Sequence, residues 1–257
     1  MNVYNNFDAI FCITLENQRI RHKHILKIQK KFNIPFEFYI SKRNKKSGIV
    51  GCFQSHIEVC KIAYKRDCTN VLIFEDDFIP TPGYNTRIIH NIIEYMKINN
   101  DWDIIKLGYI ECNNNTDILG PIKFLFSTQE TKNLVKYYGA CTHAYILSRK
   151  MMKTMIDYSK FELSKPTNEI DHIDMWLDNL INKLDLKSNC VIPLQFDQKW
   201  SFPTTNSTKG LIDNIIRKNQ YIAEKTKIVY YLSLIRLYRE YILLIFLIIF
   251  IVSKKKF

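Results

Sequence analysis

The sequence predicts an α/β domain, a mostly parallel sheet flanked by helices, followed by a hydrophobic C-terminal helix. Three observations carry that expectation. Apolar runs of strand length alternate with segments of helical period, the pattern of repeated βαβ units. The run Val71-Leu72-Ile73-Phe74 is apolar throughout, as a strand buried on both faces must be, and it runs into Glu75-Asp76-Asp77. The 257 residues are 47% apolar, enough for one sizeable core and a tail but short for two full domains.

Phe7 to Leu15 reads as the first strand and Thr14 to Arg21 as the turn into a helix, where Ile25, Ile28 and Phe32 recur at helical spacing. Phe36 to Ile40 is a second strand and Lys42 to Gly48 a basic loop. Ser55-His56-Ile57-Glu58 has the form of a capping box, which predicts a helix opening there with Ile57, Cys60, Ile62, Ala63 and Tyr64 inward. The Val71 strand follows. If it stays extended through the acids, Glu75 and Asp77 share one side and Asp76 faces the other.

Pro80-Thr81-Pro82-Gly83 turns the chain into a helix carrying Ile88, Ile89, Ile92, Ile93 and Met96. Trp102 to Gly108 is a further strand, with Asp103 at its start and so at the sheet edge opposite a strand-end site. Gly108 to Ser127 is polar and predicts a long covering loop. Ala144 to Leu147 is a short strand, after which Ser148 caps a helix packed through Met151, Met152, Met155 and Ile156. Ile170 to Leu177 opens another helix and puts Asp174 in its first turn, where the helix dipole favours a carboxylate.

The acidic triplet is the strongest chemical signal. Sheets of this kind place ligands at the carboxyl ends of their strands, where these acids fall. Three adjacent carboxylates repel one another, and two of them can share a divalent cation whose charge offsets that repulsion. Oxygen ligands suit Mn²⁺ or Mg²⁺. The plainer alternative is a solvated acidic turn capping the next helix.

Net charge is +12, and its distribution matters more than its size. Residues 1–46 carry ten Lys/Arg against three acids, residues 209–257 ten against three, and the span between seventeen against nineteen. The region with the acidic triplet is thus slightly negative, which does not support a basic nucleic-acid groove across it. Basic ends beside a hydrophobic tail suit an anionic membrane surface. Seven scattered cysteines without a Cys-x-x-Cys pair read as reduced thiols and favour a cytosolic setting, while the side of the membrane stays undecided. The polar opening Met1 to Asn6 does not resemble a secretory signal, and the sequons at Asn114 and Asn206 would matter only in a secretory lumen.

Tyr241 to Val252 is uninterrupted apolar sequence, short for a spanning helix, with Arg236, Arg239 and tyrosines before it and Lys254-Lys255-Lys256 after. Snorkelling side chains could extend it towards spanning length, and it is read as a membrane anchor. The expected division is a catalytic domain over 1–208, a basic amphipathic linker or helix over 209–240, and the anchor over 241–257.

Four blocks occur in a telling order: Gly51-Cys52-Phe53-Gln54-Ser55-His56, Val71 to Asp77, Trp102 to Gly108, and Thr142-His143-Ala144-Tyr145-Ile146-Leu147-Ser148. In order and spacing they resemble glycosyltransferase family 25, which includes lipooligosaccharide and collagen hydroxylysine galactosyltransferases. The resemblance covers roughly residues 7–200. It implies a GT-A type nucleotide-sugar transferase fold and a UDP-sugar donor, UDP-galactose first and UDP-glucose second. It also implies metal-dependent, inverting transfer to a hydroxyl of a glycan, glycolipid or protein.

By family position, Glu75, Asp76 and Asp77 stand where such enzymes carry a metal-binding Asp-x-Asp. Thr14, Asn17 and Arg21 fall in the nucleotide-contacting segment, with Thr14 in place of the usual Asn. Ser55 and His56 match a Ser-His at the donor or acceptor site, and Gly139 with His143 would close over the donor. Asp174, with Asp171 second, matches the acid that would serve as catalytic base. Two rivals remain open: a membrane-tethered glycan- or nucleotide-sugar-binding protein without turnover, and a metal-dependent nuclease, which the acidic middle disfavours.

Overall fold

In the computed structural model, which describes residues 2–45, 47–110, 119–199, 202 and 227–254, the apolar runs form one eight-stranded sheet. Its strands are β1 (Ala9–Leu15), β2 (Glu37–Ser41), β3 (Asn70–Glu75), β5 (Ile104–Ile110), β6 (Thr128–Thr131), β7 (Leu134–Lys136), β8 (Ala140–Ser148) and β9 (Ser188–Val191). They lie in the order β2-β1-β3-β8-β5-β9-β7-β6. β4 (Phe78–Pro80) and β10 (Phe196–Gln198) make a separate antiparallel ribbon. The sheet is mixed: β2, β1 and β3 are parallel, as are β5 and β9, while β8 inserts antiparallel between β3 and β5. A long β8 zipped to both halves was not expected from the short run Ala144 to Leu147.

Helices cover both faces because successive strand residues point to opposite sides. Leu72 and Phe74 of β3 join a core with α1 (Arg19–Phe32) and α3 (Thr86–Ile98), through Ile25, Ile28, Ile89, Ile92 and Ile93. Val71 and Ile73 join a second core with α2 (Gly48–Lys65), α5 (Arg149–Glu162) and α6 (Ile173–Leu184), through Phe53, Ile57, Met151, Met155 and Trp176. Between α3 and α5, α4 (Gly120–Leu125) occupies part of the segment read as a loop; residues 111–118 of that segment, with Asn114, lie outside the described residues.

Several local expectations hold. Ser148 caps α5 by accepting from Met151 N at 3.1 Å, and Asp174 lies in the first turn of α6. Asp103 sits at the start of β5, away from the strand-end site, where it accepts from Lys187 N at 2.8 Å and pairs with Lys150 at 3.0 Å. The capping box fails. α2 opens two turns earlier with Ser47 as its cap, and Ser55 lies inside the helix donating to Gly51 O at 2.7 Å.

The C-terminal segment also differs from expectation. α7 (Ile228–Lys254) runs without a break across the boundary drawn at residue 240. Its first half is part of the domain: Ser233 Oγ accepts from Leu194 N at 2.9 Å, and the buried Arg236 donates to Ser127 O at 2.6 Å. Arg239 donates to Leu125 O at 2.8 Å, so two cations meet the carbonyl end of α4. Among the described residues no helix is long and apolar enough to cross a membrane. Arg236 and Arg239, expected to lengthen the apolar run, are bonded to the domain instead, and twelve helical residues reach only about 18 Å. Residues 209–226 of the proposed linker, Asn206, and Lys255 and Lys256 fall outside the described residues.

Candidate functional site

The site grows from the carboxyl ends of β1 and β3. β3 ends at Glu75, and the chain turns at Asp76 and Asp77 before β4. The expected alternation is therefore overturned: Asp76 and Asp77 converge on one partner, and Glu75 faces others. Arg21, in the first turn of α1, donates through Nη1 to Asp76 Oδ1 and, at 3.0 Å, to Asp77 Oδ2. Thr14 at the end of β1 donates to Asp76 Oδ2 at 2.6 Å. Gln198 of β10 donates to Asp77 Oδ2 at 3.1 Å, and Lys199 N donates to Asp77 O at 2.7 Å. The Phe202 ring lies 5.3 Å from the Arg21 guanidinium carbon and closes this side.

Glu75 accepts from Thr142 Oγ1 at 2.6 Å and stands 3.4 Å from His56 Nε2. His56 is fully buried, with Nδ1 2.7 Å from the Tyr145 hydroxyl. Burial pushes the Glu75 carboxyl up, but His56 and Thr142 pull it down further, to about 2. Asp77 moves the other way, to about 7, because burial and the Glu75 and Asp76 charges outweigh Arg21. Asp77 Oδ1 is buried without a hydrogen-bond partner.

That orphaned oxygen bears on whether a metal fits. Two carboxylates, Asp76 and Asp77, meet one guanidinium here, which leaves excess negative charge, and the pair offers hard oxygen donors. The pair fits a divalent cation, and Glu75 is turned to Thr142 and His56 instead. Among the described residues no cluster of three or more acidic, His or Cys side chains is close enough to form a complete protein cage.

A cleft opens beside the acids between the end of β1, the basic loop and the first turns of α2. Thr14, Arg21, Ser55, His56, Glu75 and Asp76 line it. Sequence reasoning missed Gln18, Arg43, Asn44, Gly48 and Cys52, which also line it, although the loop's basic composition was visible. Asn17 is exposed on the turn and is not among the lining residues.

His143 is buried with Nε2 3.4 Å from Phe196 O, and burial lowers its pKa to about 4 despite Glu75. Gly108 is required beside it, since a Cβ there would sit 2.2 Å from His143 Nε2. Gly139 packs against Tyr109, whose Cβ would be 2.4 Å from an added methyl. Asp174 is half-buried; its Oδ1 accepts from Met175 N at 3.0 Å and its carbonyl from the Tyr138 hydroxyl at 2.8 Å. Its charge raises the Cys141 thiol pKa, after burial, and that of Cys52, after burial and Glu75; Asp174 is not among the residues that line the cleft. Asp171 lies apart, its amide donating to Glu162 Oε1 at 3.1 Å at the end of α5.

Fold and site thus define an α/β protein with an acid-lined cleft at the carboxyl ends of its strands, of the kind that holds charged ligands. Residues 41–173, more than half of the chain, match the profile of glycosyltransferase family 25 (LPS biosynthesis protein). The chain belongs to glycosyltransferase family 25, and that membership supports a role in glycosyl transfer. It is 22% identical over 172 residues to a glycosyltransferase 25 family member of Aedes aegypti, covering 65% of this chain and 27% of that protein. Among solved structures, a UDP-glucose pyrophosphorylase complexed with UDP-glucose superposes with a TM-score of 0.41 at 10% identity, over 74% of each chain. A nucleoside-diphosphate-sugar pyrophosphorylase from Vibrio cholerae RC9 gives 0.36 at 11% identity, over 74% of this chain and 75% of that one.

Proposed function

We propose that the chain is a GT-A type glycosyltransferase that moves a hexose, galactose before glucose, from a UDP-sugar to a hydroxyl of a glycan, glycolipid or protein, with inversion. The observation that carries this reading is the Asp76-Asp77 pair at the end of β3, with one buried oxygen unpartnered, inside the segment that matches the family. Asp76 and Asp77 would hold Mn²⁺ or Mg²⁺, and the bound cation would offset charge on the departing nucleoside diphosphate. Arg21 orients both carboxylates; Thr14 holds the second oxygen of Asp76, and Gln198 bonds the same Asp77 oxygen as Arg21, which leaves Asp77 Oδ1 open. Arg43 and the first turns of α2 line the space beside them and would face the donor.

Asp174 would take the proton of the acceptor hydroxyl as its oxygen attacks the anomeric carbon. The bond from that carbon to the diphosphate breaks in the same step, its electron pair leaving on the phosphate oxygen. Asp171, whose amide donates to Glu162 at the end of α5, is the second choice. The exposed apolar half of α7, with Leu244, Phe246 and Ile249 each more than half exposed, would lie on a membrane surface.

The test is calorimetric binding of UDP and UDP-galactose, with and without Mn²⁺, to the wild type and to Asp77→Asn. Binding that needs Mn²⁺ and is lost in the variant is expected. Metal-independent binding that survives Asp77→Asn would sink the metal assignment.

A further inference from the structure

β5 opens Ile104-Ile105-Lys106-Leu107-Gly108, a single charge in a strand whose residues 104–109 are all buried. Lys106 itself is 0% exposed. A buried ammonium is costly unless it is matched by good partners, so this one needs an explanation. Its Nζ donates to Cys141 O at 2.5 Å and stands 4.8 Å and 5.2 Å from the ring centroids of Tyr138 and Tyr145. Among the described residues it makes no ion pair within 4.0 Å.

What Lys106 holds is unusual backbone. Cys141 has φ 72°, a left-handed conformation that a side chain with a Cβ disfavours. The ladder between β5 and β8 shifts register on both sides of Gly108, just beside it. Such irregularities re-aim side chains. Here the next residue, Thr142, is aimed at Glu75, and Tyr138, three residues before Cys141, is aimed at the Asp174 carbonyl. The kinked start of β8 and its approach therefore meet the Glu75 carboxylate through Thr142 and the Asp174 backbone through Tyr138.

We propose that Lys106 is a positioning residue for glycosyl transfer: its bond to Cys141 fixes the kink that sets Glu75 through Thr142 and Asp174 through Tyr138. This rests on the transferase reading above. The charge also acts in its own right. Burial lowers the Lys106 pKa to about 8, against the favourable charges of Asp174, Cys141, Cys190 and Glu75. The other groups facing it from β8 and its approach are Tyr138, Tyr145 and the Cys141 thiol, all pushed well above their ordinary values. Lys106 is then the member of this cluster that loses its charge as pH passes about 8, and with it the strong donor that holds Cys141.

The experiment is the pH profile of kcat with UDP-sugar and acceptor saturating, for the wild type, Lys106→Met and Lys106→Arg, beside calorimetric UDP binding with Mn²⁺. In the wild type kcat should fall through an alkaline limb near pH 8. Lys106→Met should bind UDP as the wild type does, lose kcat about 10²-fold through misplacement of reacting groups, and lack that limb. Lys106→Arg should recover most of kcat and move the limb above pH 10. A wild-type kcat that is flat from pH 7 to 9.5, or a Lys106→Met enzyme that keeps the limb, overturns the role of Lys106 while transfer itself stands. A wild type that never turns over any UDP-sugar overturns the transferase reading and this proposal together.

Discussion

Replacing Arg21 with Met removes the cation bonded to both Asp76 and Asp77 while keeping an unbranched apolar side chain in place of its methylene stem. The Arg21, Asp76 and Asp77 side chains are only 10%, 8% and 8% exposed, so water cannot fully replace the lost partner. Removing one member of a buried ion pair costs about 3–5 kcal/mol. For a domain of this size that corresponds to a fall in Tm on the order of 6–20 °C.

The sign of its pH dependence follows from the same charges. Asp77 is already raised to about 7 by burial first and then by Glu75, and loss of Arg21 removes the main pull downward. A carboxyl whose folded pKa exceeds its unfolded value binds more protons in the folded state, so stability falls as pH rises through the folded value. Arg21→Met should therefore lose most stability near pH 8 and much less at pH 5. A divalent cation should substitute for the missing charge and stabilise the variant more than the wild type. A site filled at 100 times its Kd contributes about 2.7 kcal/mol, and EDTA should reverse it. Thermal and urea melts at pH 5 and pH 8, with and without Mn²⁺, measure each part. Equal melting of the two proteins at pH 8, or a loss that neither pH 5 nor Mn²⁺ relieves, would show that charge compensation is not what organises these acids.

Three further outcomes are expected. Asp174→Asn should leave UDP and Mn²⁺ binding intact and lower kcat by about 10²- to 10⁴-fold; near-normal turnover would move the base elsewhere, with Asp171→Asn the next variant to assay. Gly108→Ala drives a methyl towards His143 Nε2 and the Phe196 carbonyl, and should cost about 1–3 kcal/mol in urea denaturation through overpacking. Leu244→Asp and Phe246→Asp together should abolish co-sedimentation of the protein with anionic vesicles while leaving UDP binding unchanged; equal sedimentation of variant and wild type would remove the membrane role of α7.

Much of the fold was written locally. Val71 to Phe74 could only be a doubly buried strand, and the acids after it could only sit at that strand's carboxyl end. Ser148 with Met151 three residues on, and Asp174 ahead of an inward-facing helical stripe, are helix-start signals that depend on neighbours in sequence, and both hold. The family resemblance likewise named Thr14, Arg21, Ser55, His56, Glu75 and Asp76, which line one cleft.

Tertiary contacts decided the rest, wherever two local solutions cost nearly the same. Ser47 and Ser55 each offer a plausible cap; the close packing of Gly51 against Asn44 accompanies the longer helix, leaving Ser55 inside it. One residue more or less of extended strand reverses which acids face each other, and Arg21, arriving from α1, draws Asp76 and Asp77 together while Thr142 claims Glu75. Lys106 shows the same limit from the other side, since a lone lysine in an apolar strand reveals its charge but not its partner. That partner is a carbonyl 35 residues away, and its place is set by an antiparallel strand inserted between two parallel ones. A chain's own periodicity fixes which face of a strand is buried, because that energy is summed over neighbours a few residues apart. Which charges meet at the strand's end depends on segments brought together only when the sheet closes, so it is decided by packing.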